Sequence, residues 1–183
     1  GAGGGATAII DIDRPNLDIG GPAGTVIRPI RISAQAQPGA ATTDADEAEI
    51  LVAVDSLGLW RGTGTSTVVT PSNLRADLDK GSVCRVGATF SADMTTTPGY
   101  AVEVAADPVL DIELAREVQT LELASAANQN LYLVRLVYEP DYPPFLVGPC
   151  TLLVYYGGTV ALVGGFAQVQ WVEGTLKEML PAL

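Results

Sequence analysis

The chain has 183 residues, 48% of them hydrophobic and 17% charged, and it contains no histidine. This balance excludes ordinary disorder, which needs low hydrophobicity and high charge, and the length predicts a single domain with a sizeable core. The formal net charge of −11 and the scattered basic residues argue against nucleic acid and against an anionic membrane surface as partners, because phosphate groups require clustered lysine and arginine.

The first 24 residues predict an N-terminal arm and a first strand. Residues 1–5 are almost pure glycine and alanine, which is typical of a flexible arm that orders only against a neighbour. We expect the first strand at Ala6 to Asp13, followed by a polar turn region from Arg14 to Gly24.

Residues 25–174 predict the sandwich itself. Its first strand candidates are rich in β-branched residues and are bounded by turn residues: Thr25–Gln37, Ala48–Asp55, Thr65–Thr70, Val83–Ala92 and Tyr100–Ala105. Pro29 lies inside the first of these and predicts a sheet edge or a bulge there, because proline cannot donate to a ladder.

The second half of the chain contains one ambiguous stretch. The apolar spacing from Asp107 to Leu123 fits either a short helix or two strands, and the surrounding strands favour the two strands. Asn130 to Glu139 is the clearest strand of the chain.

The C-terminal region predicts three more strands and a tail. Pro149 to Tyr156 and Thr159 to Val163 suit a hairpin that turns at Gly157-Gly158. Phe166 to Glu173 alternates as a further strand. The tail, residues 175–183, predicts a last helical turn or an extended docking segment.

These segments give about nine or ten strands, and no strand–helix–strand spacing occurs, which disfavours a parallel sheet. The predicted fold class is therefore all-β, an antiparallel β-sandwich in jelly-roll or Greek-key order.

Two cysteines, Cys84 and Cys150, lie in apolar strand-like contexts. Two buried small hydrophobic residues are the favoured interpretation. A single disulfide across a long loop is the alternative and would indicate an oxidising location.

Few residues could carry chemistry. Without histidine, the usual proton carrier and commonest metal ligand is missing, and no CxxC, nucleotide loop or nucleophile elbow occurs. We therefore predict no catalytic, cofactor-binding or metal-binding residues, and no enzyme. The acidic group Asp44, Asp46, Glu47 and Glu49 could offer oxygens to Ca²⁺, but it lacks the spacing of an EF-hand loop and fits a solvated loop better.

The aromatic residues are the remaining candidates for function. Exposed aromatics on a sandwich can stack on sugars or anchor subunit contacts, and core filling is the alternative for most of them. The candidate subunit contacts are Trp60, Tyr155, Tyr156 and Phe166.

Several stretches resemble virion proteins of tailed bacteriophages. They lie between about residues 25 and 145: PIRISAQAQPGA, AEILVAVD, WRGTGTST, DPVLDIELAREVQTLEL and NLYLVRLVYEPDYPP. The resemblance implies a capsid decoration (cement) protein or related head protein with a jelly-roll-like fold. Such proteins are homo-oligomers, often trimers, that clamp neighbouring capsid subunits.

The expected function is thus that of a non-enzymatic structural protein on the capsid exterior of a virion. Its expected partners are further copies of itself and a major capsid protein, with no nucleic acid and no membrane. The alternative is a secreted carbohydrate-binding or adhesive β-sandwich module.

Overall fold

The computed structural model describes residues 10–12, 14–39, 41, 46–57, 67–74, 81–88, 108–121, 133–160 and 162–179. These residues contain ten strands and one helical turn. The strands are β1 (Leu17–Gly21), β2 (Thr25–Pro38), β3 (Glu47–Asp55), β4 (Thr67–Val69), β5 (Arg85–Ala88), β6 (Ile112–Thr120), β7 (Val134–Tyr138), β8 (Leu146–Val147), β9 (Cys150–Gly158) and β10 (Leu162–Thr175), and the helical turn is α1 (Leu176–Met179).

The strands form two antiparallel sheets, so the predicted all-β sandwich is confirmed. Sheet A has the order β4-β5-β1-β9-β3-β6. Sheet B has the order β10-β2-β7, and β8 pairs with β2 as well. From β1 to β3, and again from β8 to β10, successive strands alternate between the two sheets.

The core lies between the sheets and continues onto the far side of sheet A. Alternate residues of β3 and β9, such as Val52 and Leu152, point toward sheet B and join the main core cluster. The residues between them form a second buried cluster on the other face, consisting of Leu51, Ala53, Leu153 and Tyr155. Strands covered on both faces need no polar positions, which explains the unbroken apolar runs ILVAV and LLVYY.

Most predicted strands are confirmed. β2, β3 and β7 lie within one to four residues of their predicted bounds, and β4 and β5 lie inside theirs. The ambiguous stretch from Asp107 to Leu123 contains a strand rather than a helix, although β6 is one strand and not two. The strand predicted at Tyr100–Ala105 lies outside the described residues.

The predicted bounds of the first strand are wrong where the structure describes them. Residues 10–12 form no strand, and β1 lies instead within the segment predicted as a turn region. β1 occupies an interior position of sheet A, between β5 and β9. Its short LDIGG sequence resembles a turn because aspartate and glycine are common turn residues. In the structure, Asp18, Gly20 and Gly21 instead occupy buried positions of a strand.

The predicted hairpin between Pro149–Tyr156 and Thr159–Val163 is also wrong. Residues 162–163 of its second strand belong to β10, which also contains the separate strand predicted at Phe166–Glu173. β9 pairs with β1 and β3 in sheet A, whereas β10 pairs with β2 in sheet B. The start of β3 holds the chain where β9 ends, because the Thr159 N–H donates to the Glu47 carbonyl at 2.9 Å. The Thr159 hydroxyl donates in turn to the Asp46 carboxylate at 2.9 Å. These bonds direct the chain away from β9 and across to the second sheet.

Pro29 lies at an irregularity, not on an edge strand. β2 is flanked by β10 on one side and by β7 and β8 on the other. The β10 ladder shifts register between Gln170 and Trp171, which pair with Arg31 and Pro29. On the other side, Pro29 falls between the residues that pair with β8 and those that pair with β7. The bulge is confirmed as the way in which this strand accommodates proline.

The tail begins with a helical turn, one of its two predicted forms. Thr175 and Glu178 cap α1 reciprocally: the Thr175 N–H donates to Glu178 Oε2 at 2.8 Å, and the Glu178 N–H donates to Thr175 Oγ1 at 3.3 Å. The Met179 side chain lies over Gly174 of β10.

Gly158 should be intolerant of substitution. Its φ is +127°, and an added Cβ would lie 2.2 Å from the Glu47 carbonyl oxygen. We expect Gly158→Ala to lower the free energy of unfolding by more than about 2 kcal/mol, measured as a shift in the urea midpoint. Gly164→Ala is the matched control, since nothing lies within 4 Å of its added Cβ. Equal midpoints for the two variants would contradict this account of the β9 exit.

Candidate functional site

The face of sheet B that points away from the core is a regular, solvent-exposed surface in the described part of the chain. Cross-strand pairing aligns three rows across β10, β2 and β7: Phe166, Gln35 and Arg135; Gln168, Ser33 and Val137; Gln170, Arg31 and Glu139. We call these nine residues the outer face of sheet B.

Alternation along β2 explains why these side chains point outward. Ile32, Ala34 and Ala36 are fully buried against sheet A, so the intervening residues of the strand must lie on the opposite side. The outer face is mostly neutral and polar, with Phe166 at 52% exposure as its one aromatic residue. The Arg31–Glu139 ion pair, at 3.8 Å, is solvent-exposed and contributes little to stability.

A second patch lies beyond the bulge on the same side of sheet B. The Arg28 guanidinium lies over the Phe145 ring, 4.7 Å from its centroid, and Arg28 Nε donates to the Pro143 carbonyl at 3.3 Å. Val172, which pairs with Arg28, is 43% exposed, and Leu176 is 45% exposed. We call this group the Arg28 patch.

β10 borders the outer face and is an edge strand. Its 14 residues pair with β2 along one side, and within the described ranges no strand pairs with its other side. From Leu162 to Val172 the sequence contains neither a charged residue nor a proline. An edge strand of this length normally carries such residues, because they prevent pairing with another chain.

The opposite edge of the molecule shows these protective features. β6 is the edge strand of sheet A and carries Glu113, Arg116 and Glu117. Arg116 pairs with Glu49 of β3 and, at 2.8 Å, with Glu113. Glu117 pairs across the ladder with Ile50, whose side chain is in the core, so its charge is on the inner face of the edge.

Glu173 anchors one end of β10 to sheet A. Its carboxylate accepts hydrogen bonds from Ser82 Oγ at 2.5 Å, from the Val83 N–H at 2.9 Å and from Trp171 Nε1 at 3.0 Å. Burial alone would raise the pKa of Glu173, but these donors outweigh it and hold the pKa below its ordinary value. The charged carboxylate therefore joins the two sheets and fixes the position of the free edge.

The aromatic residues selected from the sequence lie in different layers. Tyr155 is 1% exposed and its hydroxyl donates to the Ile12 carbonyl at 2.9 Å, which leaves no side-chain surface for a neighbouring subunit. Tyr156, on the opposite face of β9, packs against the main core, and burial raises its pKa. Phe166 is exposed on the outer face of sheet B. Trp60 lies outside the described residues. Of the three candidates that the structure describes, no two lie together on one surface.

Asp18 was not selected from the sequence. It is 1% exposed on the far side of sheet A, beside Leu153. Desolvation raises its pKa well above the ordinary value, against the opposing effect of a backbone hydrogen bond from Gly87. The burial of Asp18 was not predicted because the surrounding sequence has the composition of a turn. It follows only from the pairing of Leu17, Asp18 and Ile19 with β9.

The described cysteines and the described residues of the acidic group Asp46 to Glu49 have structural surroundings. Cys84 and Cys150 are buried, as the favoured interpretation predicts, and no disulfide joins them; burial followed by the charge of Glu173 raises the pKa of Cys84. Asp46 accepts a hydrogen bond from Thr159, and Glu49 pairs with Arg116. Across the described residues, no group of three or more Cys, Asp and Glu side chains has an arrangement that could hold a metal ion.

No described helix is both long enough and apolar enough to cross a membrane. Comparisons of the chain with protein-family models, with curated proteins and with solved structures found no match.

Removing the charge of Glu173 should destabilise the sandwich. We expect Glu173→Gln to lower the free energy of unfolding near neutral pH by about 1–3 kcal/mol, because the amide places a donor against existing donors. The pKa of Glu173 is lowered on folding, so its contribution is complete above the unfolded pKa and is lost as the pH falls through the folded pKa.

The difference in the free energy of unfolding between wild type and Glu173→Gln should therefore decrease as the pH is lowered, as measured by urea unfolding at several pH values. Glu139→Gln removes an equally charged but exposed carboxylate and should change stability by less than about 0.5 kcal/mol. A constant gap at every pH would contradict a structural role for the ionised carboxylate.

Removing the charge of Asp18 should stabilise the protein, in contrast to removing that of Glu173. Its pKa is raised on folding, so the native state loses stability as the pH rises from the unfolded pKa toward the folded one. We expect Asp18→Asn to increase the free energy of unfolding near neutral pH by about 1–3 kcal/mol, as measured by chemical denaturation. Asp111→Asn should instead destabilise, because hydrogen bonds from Ser56 outweigh desolvation and lower the pKa of Asp111. A loss of stability in Asp18→Asn would show that its charged form is needed.

Proposed function

We propose that this chain is a non-enzymatic structural protein of a virus particle, of the capsid decoration (cement) type. It acts as a homo-oligomer on the capsid exterior and stabilises the particle through contacts between subunits and with a major capsid protein. The observation that carries this proposal is the combination of a broad, mostly polar outer face on sheet B with an adjoining edge strand that contains neither charge nor proline from Leu162 to Val172.

The path of the chain supports the proposal at the level of architecture. In sheet A, β1, β9, β3 and β6 lie side by side, while β2 and the strands that pair with it form the opposite sheet. Such an interleaving of early and late strands is typical of a jelly roll, which viral capsid proteins and lectins both use. We therefore take the sandwich to be a jelly roll, an inference from fold alone.

The polar groups of the described residues support a structural rather than a catalytic role. Glu173 joins the two sheets, Asp46 holds the end of β9, and Glu49 joins β3 to the edge strand β6. Each carboxylate thus has a partner whose loss would loosen the sandwich.

One feature favours the carbohydrate-binding alternative. Phe166 lies among Gln35 and Gln168 on a flat face, and an aromatic ring among amides can stack on a sugar and hydrogen-bond to it. Phe145, which is 39% exposed, belongs to the Arg28 patch and is engaged by Arg28. The outer face of sheet B thus provides a single ring where a sugar platform would use two or three.

The proposal predicts that the chain is present on the outside of intact virus particles. An antibody raised against the purified protein should label particles from the material that carries the gene, as seen by immunogold electron microscopy. The preimmune serum is the control. Unlabelled particles, together with saturable binding of the purified protein to a glycan array, would contradict the proposal and support the carbohydrate-binding module.

A further inference from the structure

We propose that the free edge of β10 pairs with the same edge of a second copy, antiparallel and about a twofold axis at Ala167. The two copies of sheet B then form one continuous sheet. This inference rests on the proposed function, because it assigns the subunit contact that the function requires.

The edge contains a segment suited to such pairing. Register irregularities lie between Leu162 and Gly164 and between Gln170 and Trp171, and the ladder with β2 is regular from Gly164 to Gln170. Ala167 is the centre of this regular segment. In the described part of the chain, the outward side of this segment has no strand partner. Its backbone groups therefore present an open template for a further strand.

Charge favours a second copy as the occupant. Each chain carries a net charge of −11, so two copies repel each other wherever acidic surfaces meet. The β6 edge carries Glu113, Arg116 and Glu117, so a further strand that pairs there must accommodate charged side chains. The β10 edge adds no charge to the contact, so two copies can approach there without opposing carboxylates.

Symmetry then fixes which residues meet. If both outer faces lie on the same side of the joined sheet, the twofold axis is perpendicular to that sheet. The residue at the axis then lies opposite the same residue of the second copy. With Ala167 at the axis, Phe166 of one copy lies beside Gln168 of the other on the outer face. The exposed ring gains a neighbour that its own sheet does not supply, since Gln35 is its only partner there.

Paired in this way, the two copies present one wide outer face with an Arg28 patch toward each end. This contact closes a dimer, whereas the phage head proteins that the chain resembles are often trimers, so the measured mass distinguishes the two.

The test compares two doubly substituted variants that add the same charge to the same two rows. Phe166→Glu with Gln168→Glu places the charges on the edge strand, and Ser33→Glu with Gln35→Glu places them one strand further in. Light scattering and sedimentation measure the dimer dissociation constant, and circular dichroism establishes that both variants remain folded.

The wild type should be a dimer at micromolar concentrations. The edge variant should raise the dissociation constant at least about 100-fold, because each added charge opposes a like charge across the axis. The control should change it by less than about threefold. Equal weakening in both variants would place the contact on the outer face and overturn the edge assignment, and a monomeric or trimeric wild type would overturn it as well.

A disulfide tests the register directly. Ala167→Cys places a thiol opposite itself across the axis, within the separation that a disulfide requires. Mild oxidation should yield a crosslinked dimer from this variant and none from Ser33→Cys, while the buried Cys84 and Cys150 stay unreacted. Failure to crosslink would overturn the Ala167 axis.

These outcomes are separate from the test of function. Loss of the edge contact with particles still labelled would reject this inference and retain the proposed function. An edge dimer with unlabelled particles would retain the contact and reject the capsid role.

Discussion

Burial of β3 and β9 on both faces is the constraint on which the rest of the molecule depends. Sheet B covers one face, while Ile10 and Leu110 pack against the cluster on the other. The Tyr155 hydroxyl fixes the chain at Ile12 on that far side. Because the second cover comes from the chain's own segments, sheet A has no open face near its centre. In the described fold, the outer face of sheet B remains exposed to solvent.

Carboxylates mark the positions where this packing is tied together. Glu173 remains charged where it links β10 to the segment before β5, since three donors converge on it. Asp18 is far more deeply buried than Glu173 and has less hydrogen bonding to offset that burial, so its pKa moves in the opposite direction. The two residues illustrate that the balance between burial and hydrogen-bond donors decides whether a carboxylate stabilises a sandwich in its charged form.

The β6 edge of sheet A and the β10 edge of sheet B differ in charge, which affects whether another strand can pair with them. Charges and an ion-pair network protect β6, whereas β10 is long, carries no charge from Leu162 to Val172, and is anchored near its end by Glu173. The proposed function requires this acidic chain to contact further copies of itself, and a surface without charge would avoid repulsion between the copies. The β10 edge meets this condition, and the amide-rich face beside it extends the neutral area.

The sequence alone determined the fold class and the position of most strands, because period-two alternation and turn residues are local signals. It also determined that Cys84 and Cys150 are buried, from their apolar surroundings. It did not determine β1, whose glycines and aspartate resemble a turn, or the separation of β9 from β10, which depends on bonds between Thr159 and the distant start of β3. Only the tertiary structure decided which aromatic residues face solvent and which edge lacks charge, since both depend on pairing between strands far apart in the chain.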